Sequence, residues 1–189
     1  ELMENQTHAN LIKLASNQML NMVENMLDIQ KFENDRIKLD IQPNTVNHLI
    51  VQSLDEVKLL VQISRNDRIA LSHQLDENIE AHFDYDNIKR VVVNLLTNAI
   101  KYTPDEGKIK VSADKVVYKR KPYIRISVSD TGRGIPEDQQ NHIFDKYSQI
   151  EARNSGNTRS TGLGLAFCKL MVEAHGGNIR VDSEEGEGS

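Results

Sequence analysis

The sequence contains a single cysteine, Cys168, so no internal disulfide can form, and the thiol falls in an apolar helical pattern that suits a buried structural residue. Such usage fits a reducing compartment. Nowhere do apolar residues run for the roughly 18 to 20 positions that a membrane span requires, and the first residues lack the basic-then-apolar order of a signal peptide. A cytoplasmic setting is expected, with any membrane attachment supplied by segments absent from this sequence. Basic charge is scarce too: 27% of the 189 residues are charged, yet the formal net charge is -5, so no general positive field invites nucleic acid. A Gly-x-x-x-x-Gly-Lys-Ser/Thr run is missing, which excludes a P-loop, and the dinucleotide fingerprint lacks its third glycine.

What is present is a hydrophobic content of 38%, enough for one domain with a real core and a smaller appended element. From about Thr7 to Asn34 there is neither glycine nor proline. Ile12, Ala15, Met19, Met22, Met26 and Ile29 follow the alternating three-and-four spacing of a heptad seam. Leu20, Val23 and Leu27 widen the stripe, so the spacing predicts a long helix of an oligomeric bundle, although a lone surface helix carries a similar pattern. After Asp35 a second domain begins. Ile37, Leu39 and Ile41 alternate like a strand that Pro43 ends. Helices are expected over Val46–Ile63, Asp86–Tyr102 and Leu163–His175, the last stopped by Gly176 and Gly177. Strands are expected over Arg68–Leu75, Ile79–Phe83, Lys108–Ala113, Tyr123–Ser129 and Asn178–Asp182, with Lys119–Lys121 a solvated turn. Asp145–Thr161 is polar and weakly periodic, as a mobile loop is. The sum is an α+β, two-layer α/β sandwich, with helices on one face of a mixed, mostly antiparallel sheet. Glu1 stands inside a helical pattern and Ser189 just past a turn, so both ends read as boundaries of a piece.

Three elements carry possible chemistry. On the helix from Asp86, the residues Val92, Leu95, Leu96 and Ala99 recur at core spacing, whereas Asn94, Asn98 and Lys101 project from another face. Asparagine is a poor helix former, so two there need a reason. Amide oxygens can ligate Mg²⁺ and an ammonium can sit on phosphate, while a solvated face accounts for the same pattern. Next, Ser129-Asp130-Thr131-Gly132-Arg133-Gly134-Ile135-Pro136 follows an alternating strand. A carboxylate there can accept from an exocyclic amine such as adenine's, and the glycines allow close approach; a tight turn capped by aspartate is the plainer alternative. Third, Thr161-Gly162-Leu163-Gly164-Leu165 opens a helix, where bare amides and the positive dipole end can meet a phosphate, although helix starts often carry glycine.

In this order, with a loop between the second and third, the elements resemble the N, G1, F and G2 boxes of sensor histidine kinases: Asn94–Thr103, Asp130–Pro136, Phe144 and Gly162–Leu165. Those kinases belong to the ATPase superfamily that includes gyrase, Hsp90 and MutL. The resemblance implies a Bergerat-type ATP-binding fold over 37–189, preceded at 1–36 by the last helix of a dimerisation and phosphotransfer domain. It implies ATP and Mg²⁺ as ligands, with Asn98 on the metal and Asn94 supporting it. Lys101 would contact phosphate, Tyr102 would lie on the nucleotide and Asp130 would read adenine. Gly132, Gly134 and Ile135 would line the base pocket, and Thr161, Gly162, Leu163, Gly164 and Leu165 the phosphate end. Phe144 would anchor a lid in which Arg153 or Arg159 would partner the γ-phosphate. The implied activity is transfer of the γ-phosphoryl to a histidine, then relay to a response regulator's receiver domain, by a homodimer formed through the helical bundle.

Three departures qualify the resemblance. The superfamily's ATP hydrolases carry a glutamate four residues before the magnesium asparagine; here Asn94 stands there and cannot act as general base. An ATP-hydrolysing conformational switch is thereby disfavoured. None of the six histidines has the acceptor's surroundings: His8 is followed by Ala9 and Asn10, and the others fall within the catalytic region. The acceptor is expected on a first bundle helix absent from this sequence. A nucleotide-binding pseudokinase or signalling scaffold is the alternative, against which the intact Asn98, Asp130 and paired glycines speak. Ser160 stands where many members have another glycine.

Overall fold

The computed structural model of the chain describes residues 16, 19–21, 23–32, 38–65, 68–75, 78–148 and 162–189. In chain order the elements are α1 (23–32), β1 (Gln42–Thr45), α2 (Val46–Arg65), β2 (Ala70–Leu75), β3 (Glu80–Phe83), α3 (Tyr85–Tyr102), β4 (Lys108–Tyr118), β5 (Lys121–Asp130), α4 (Glu137–Gln140) and α5 (Gly164–Ala174). Strand β2 runs parallel to β4, and β4 antiparallel to β5, in a three-stranded sheet. Strands β1 and β3 form a separate antiparallel pair, so among the described residues the strands divide into two sheets.

Alternation explains which side of the larger sheet is covered. Ile109, Val111 and Ala113 of β4 are buried, while Lys108 and Lys110, which alternate with them, are exposed. The buried side meets Leu49, Ile50 and Val57 of α2 and Val92 and Leu96 of α3, all at 1% exposure or less. This is the expected two-layer arrangement. The β4–β5 hairpin is longer than the alternation predicts, and turns at Lys119 and Arg120, whose φ of 49° and 63° match a tight two-residue connection.

Two expectations are corrected. Of the strand predicted at Ile37–Ile41, Ile37 lies outside the described residues, and the strand found is β1, which contains Pro43; proline lacks a donor, and β1 tolerates it because among the described residues it pairs on one side only, with β3. Asn178–Asp182 pairs with no strand among the described residues. The heptad residue Ile29 is buried on Leu163 and Ala166 of this same chain, while Met19, Leu20, Val23, Met26 and Leu27 stay exposed. Cys168 is fully buried beside Val91, and burial pushes its thiol far above the ordinary range, as a structural thiol requires.

Candidate functional site

Helix α3 is placed by its N-cap. Asp84 is buried and accepts from the backbone N–H of Asn87 at 3.0 Å, from the Asn87 side chain at 2.9 Å and from the N–H of Asp40 at 2.9 Å. Burial alone would raise its pKa, but these donors outweigh that and hold the carboxyl below its ordinary value. With its core residues against the sheet and Val91 against α5, the helix leaves Asn94, Asn98 and Lys101 half-buried on another side.

Two close approaches assemble the site. A methyl group built on Gly164, the first residue of α5, would lie 3.5 Å from Asn94 Oδ1, so the glycine-started helix abuts the asparagine-bearing one. At the other end of α3, a methyl on Gly132 would lie 2.9 Å from the carbonyl oxygen of Tyr102 and 2.5 Å from Asp130 Oδ1. Only glycine permits that contact. Gly132 N–H also donates to Asp130 Oδ1 at 2.8 Å, fixing the carboxylate at the end of β5. Half-buried, Asp130 has its pKa raised by desolvation, with the Gly132 bond acting against the rise.

The remaining predicted residues surround these contacts. The Tyr102 ring has Lys101 Nζ 5.1 Å and Arg133 Cζ 5.0 Å from its centroid. Gly134 adopts φ 68° where any side chain would strike the carbonyl oxygen of Glu184. The carbonyl of Gly162 accepts from Tyr147 N–H at 3.1 Å, Leu163 is buried, and Phe144 and Leu165 are half-buried. Arg153, Arg159 and Thr161, with most of the predicted loop, lie outside the described residues.

Sequence reasoning missed the supports of the Gly132–Ile135 loop. Ser183 Oγ accepts from Ile135 N–H at 2.9 Å, and Gln140 Nε2 donates to the carbonyls of Ile135 and Ser183 at 2.8 and 2.9 Å. No spacing rule links positions so far apart. Among the described residues no group of three His, Cys, Asp or Glu could hold a metal. The oxygen donors near the two helices are asparagine amides, hard neutral ligands of the kind Mg²⁺ accepts when phosphates complete its shell. The arrangement thus suits a magnesium-nucleotide: oxygen donors and an ammonium on α3, a glycine-bearing helix start beside them, and a fixed carboxylate at the far end.

A family profile described as histidine kinase-, DNA gyrase B- and HSP90-like ATPase matches residues 83–189. The chain belongs to this family. Its curated relatives include sensor histidine kinases, whose ATP-binding part it resembles. The circadian input-output histidine kinase CikA of Synechococcus elongatus is 30% identical over 172 residues, 90% of this chain and 22% of CikA. Sensor histidine kinase WalK of Bacillus subtilis is 32% identical over 172 residues, again 90% of this chain and 27% of WalK. The chain thus spans about a quarter of the length of these curated relatives. Among solved structures, the catalytic domain of histidine kinase ThkA superposes with a TM-score of 0.65 at 28% identity, covering 79% of this chain and 93% of ThkA's. No helix among the described residues is long and apolar enough to cross a membrane.

Proposed function

We propose that this ATPase-family domain binds ATP·Mg²⁺ and transfers the γ-phosphoryl group to a histidine on a bundle helix outside this sequence, for relay to an aspartate of a response regulator. Residues 1–36 are then the second helix of a dimerisation and phosphotransfer domain, whose exposed Met19, Leu20, Val23, Met26 and Leu27 meet a second copy. Residues 37–189 are the catalytic domain, acting in the cytoplasm.

The observation that carries the reading is the pair of glycine contacts, which puts the N-box helix against both glycine-bearing segments. Asp130 accepts from the adenine amino group, Tyr102 lies along the base, and Gly132, Gly134 and Ile135 form the base wall. Asn98 and Asn94 hold Mg²⁺, which neutralises charge on the phosphates. Lys101 adds a cation there, and the N–H groups at the start of α5, with Gly162 through Leu165, receive the phosphate end. Phe144 fixes the edge of the lid, Thr161 belongs to the phosphate end, and Arg153 or Arg159 partners the γ-phosphate. The histidine nitrogen attacks the γ-phosphorus in line, the bond to the β-γ bridging oxygen breaks, and ADP leaves with that electron pair. Because Asn94 cannot take a proton from water, ATP is spared for the histidine.

Titration with a fluorescent ATP analogue should show saturable binding that weakens when Mg²⁺ is chelated. Incubation with γ-labelled ATP should leave the chain itself unlabelled, and should label a supplied acceptor helix from the same protein. Stable acid-labile label on this chain, or no nucleotide binding, would sink the proposal.

A further inference from the structure

Arg90 lies on α3 one turn before Asn94, and its guanidinium joins three helices. Nη1 reaches Asp28 Oδ2 at 2.6 Å and Nη2 donates to Asn25 Oδ1 at 2.9 Å, both on α1. Its Cζ sits 4.4 Å over the Phe167 ring of α5. An exposed ion pair would contribute little, but Arg90 and Asp28 keep only 26% and 17% of their side-chain surface, and Asn25 only 5% of its residue surface. A planar fork of donors can serve two acceptors and a ring face together, which a lysine cannot. Beside this knot, Ile29 of α1 is buried on Leu163 and Ala166. Leu163 immediately precedes Gly164, whose position against Asn94 defines one side of the nucleotide site.

We propose that Arg90 is a positioning residue that couples the seating of α1 to the nucleotide site. Seated, α1 holds the start of α5 against Asn94 through Arg90, Phe167 and the Ile29–Leu163 contact, so the phosphate end is formed before ligand arrives. Released, α1 leaves that end to be ordered by the ligand, and binding weakens. Coupling of this kind is reciprocal: nucleotide must tighten the seat of α1 by the factor by which the seat tightens nucleotide. The inference rests on the nucleotide reading of the site.

The test combines hydrogen exchange and titration with a non-hydrolysable ATP analogue and Mg²⁺ on the whole chain, comparing Arg90→Met, Arg90→Lys and Asp28→Asn with the parent. Arg90→Met keeps an apolar stem over Phe167, and Asp28→Asn leaves α3 and α5 untouched. Amides of 23–32, and that of Phe167 at the start of α5, which donates to the Leu163 carbonyl, should lose protection in Arg90→Met and Asp28→Asn, while those of 85–102 and 168–174 keep theirs. The dissociation constant should rise about fivefold or more in both, with Arg90→Lys between them and the parent. Saturating analogue should raise protection of 23–32 in the parent and not in Arg90→Met. Unchanged protection of α1, or an unchanged dissociation constant once it is lost, overturns the role of Arg90. Failure of the parent to bind the analogue overturns the nucleotide reading itself, while the exchange data still report whether Arg90 seats α1.

Discussion

Replacing Gly164 by alanine separates folding from function. The added methyl finds Asn94 Oδ1 at 3.5 Å and Cγ at 3.7 Å, ordinary contact distances, and Gly164 is not in the left-handed region. The fold should therefore tolerate it, and loss of glycine's freedom in the unfolded chain should stabilise by about 0.4–1 kcal/mol. For a chain of this size that is roughly 1 to 4 °C in melting temperature. The same methyl fills the gap between Asn94 and the start of α5, where the phosphates and their metal are proposed to enter. At a nucleotide concentration of about 100 times Kd the parent gains about 2.7 kcal/mol from binding, or roughly 5 to 11 °C. A hundredfold loss of affinity cuts that gain to about 0.4 kcal/mol, or roughly 1 to 2 °C. Thermal unfolding with and without Mg²⁺ and a non-hydrolysable analogue reads both quantities. A full ligand-induced rise in Gly164→Ala would refute the placement of phosphate at α5, and a melting point several degrees lower without ligand would refute the spacing.

Gly132→Ala should behave oppositely, because its methyl would lie 2.5 Å from Asp130 Oδ1 and 2.9 Å from backbone oxygen of Tyr102. Overpacking of that sort costs about 1–3 kcal/mol, visible as a lower urea midpoint together with lost binding. Asp130→Asn should raise the melting point of the free domain near neutral pH. Desolvation raises the native carboxyl's pKa, so its favourable contribution is present below the ordinary value of 3.8 and lost as pH rises through the native value. The advantage of the variant should vanish in acid, and its nucleotide affinity at pH 7 should fall about tenfold or more, the worth of a hydrogen bond to a charged group. Asp84→Ala removes a cap worth about 1–2 kcal/mol. Because the native Asp84 pKa is lowered, that contribution is present above 3.8 and fades as pH falls through the native value, so parent and variant should converge on acidification.

The sequence made the long elements legible, because periodicity over α2, α3 and α5 and alternation along β4 and β5 report one-sided burial directly. The candidate site was legible for a related reason: asparagines on a helix face and glycines at a strand end and helix start are costly unless something is bound or closely packed there. Pro43 misled because a proline's meaning depends on whether its strand has a neighbour on the N–H side, and among the described residues β1 has one partner only. Ile29 fits a bundle seam and a domain contact equally well by spacing, so its burial on Leu163 and Ala166 could not be read from the pattern. Arg90 and Gln140 were invisible because their partners lie 62 and 43 residues away in Asp28 and Ser183.

The most direct test of the account is a crystal structure of the chain with Mg²⁺ and a non-hydrolysable ATP analogue. The account predicts the adenine amino group within hydrogen-bonding distance of Asp130, the metal on Asn98, and the phosphates between Asn94 and the start of α5. A nucleotide bound elsewhere, or one whose base and phosphates exchange those ends, would contradict it.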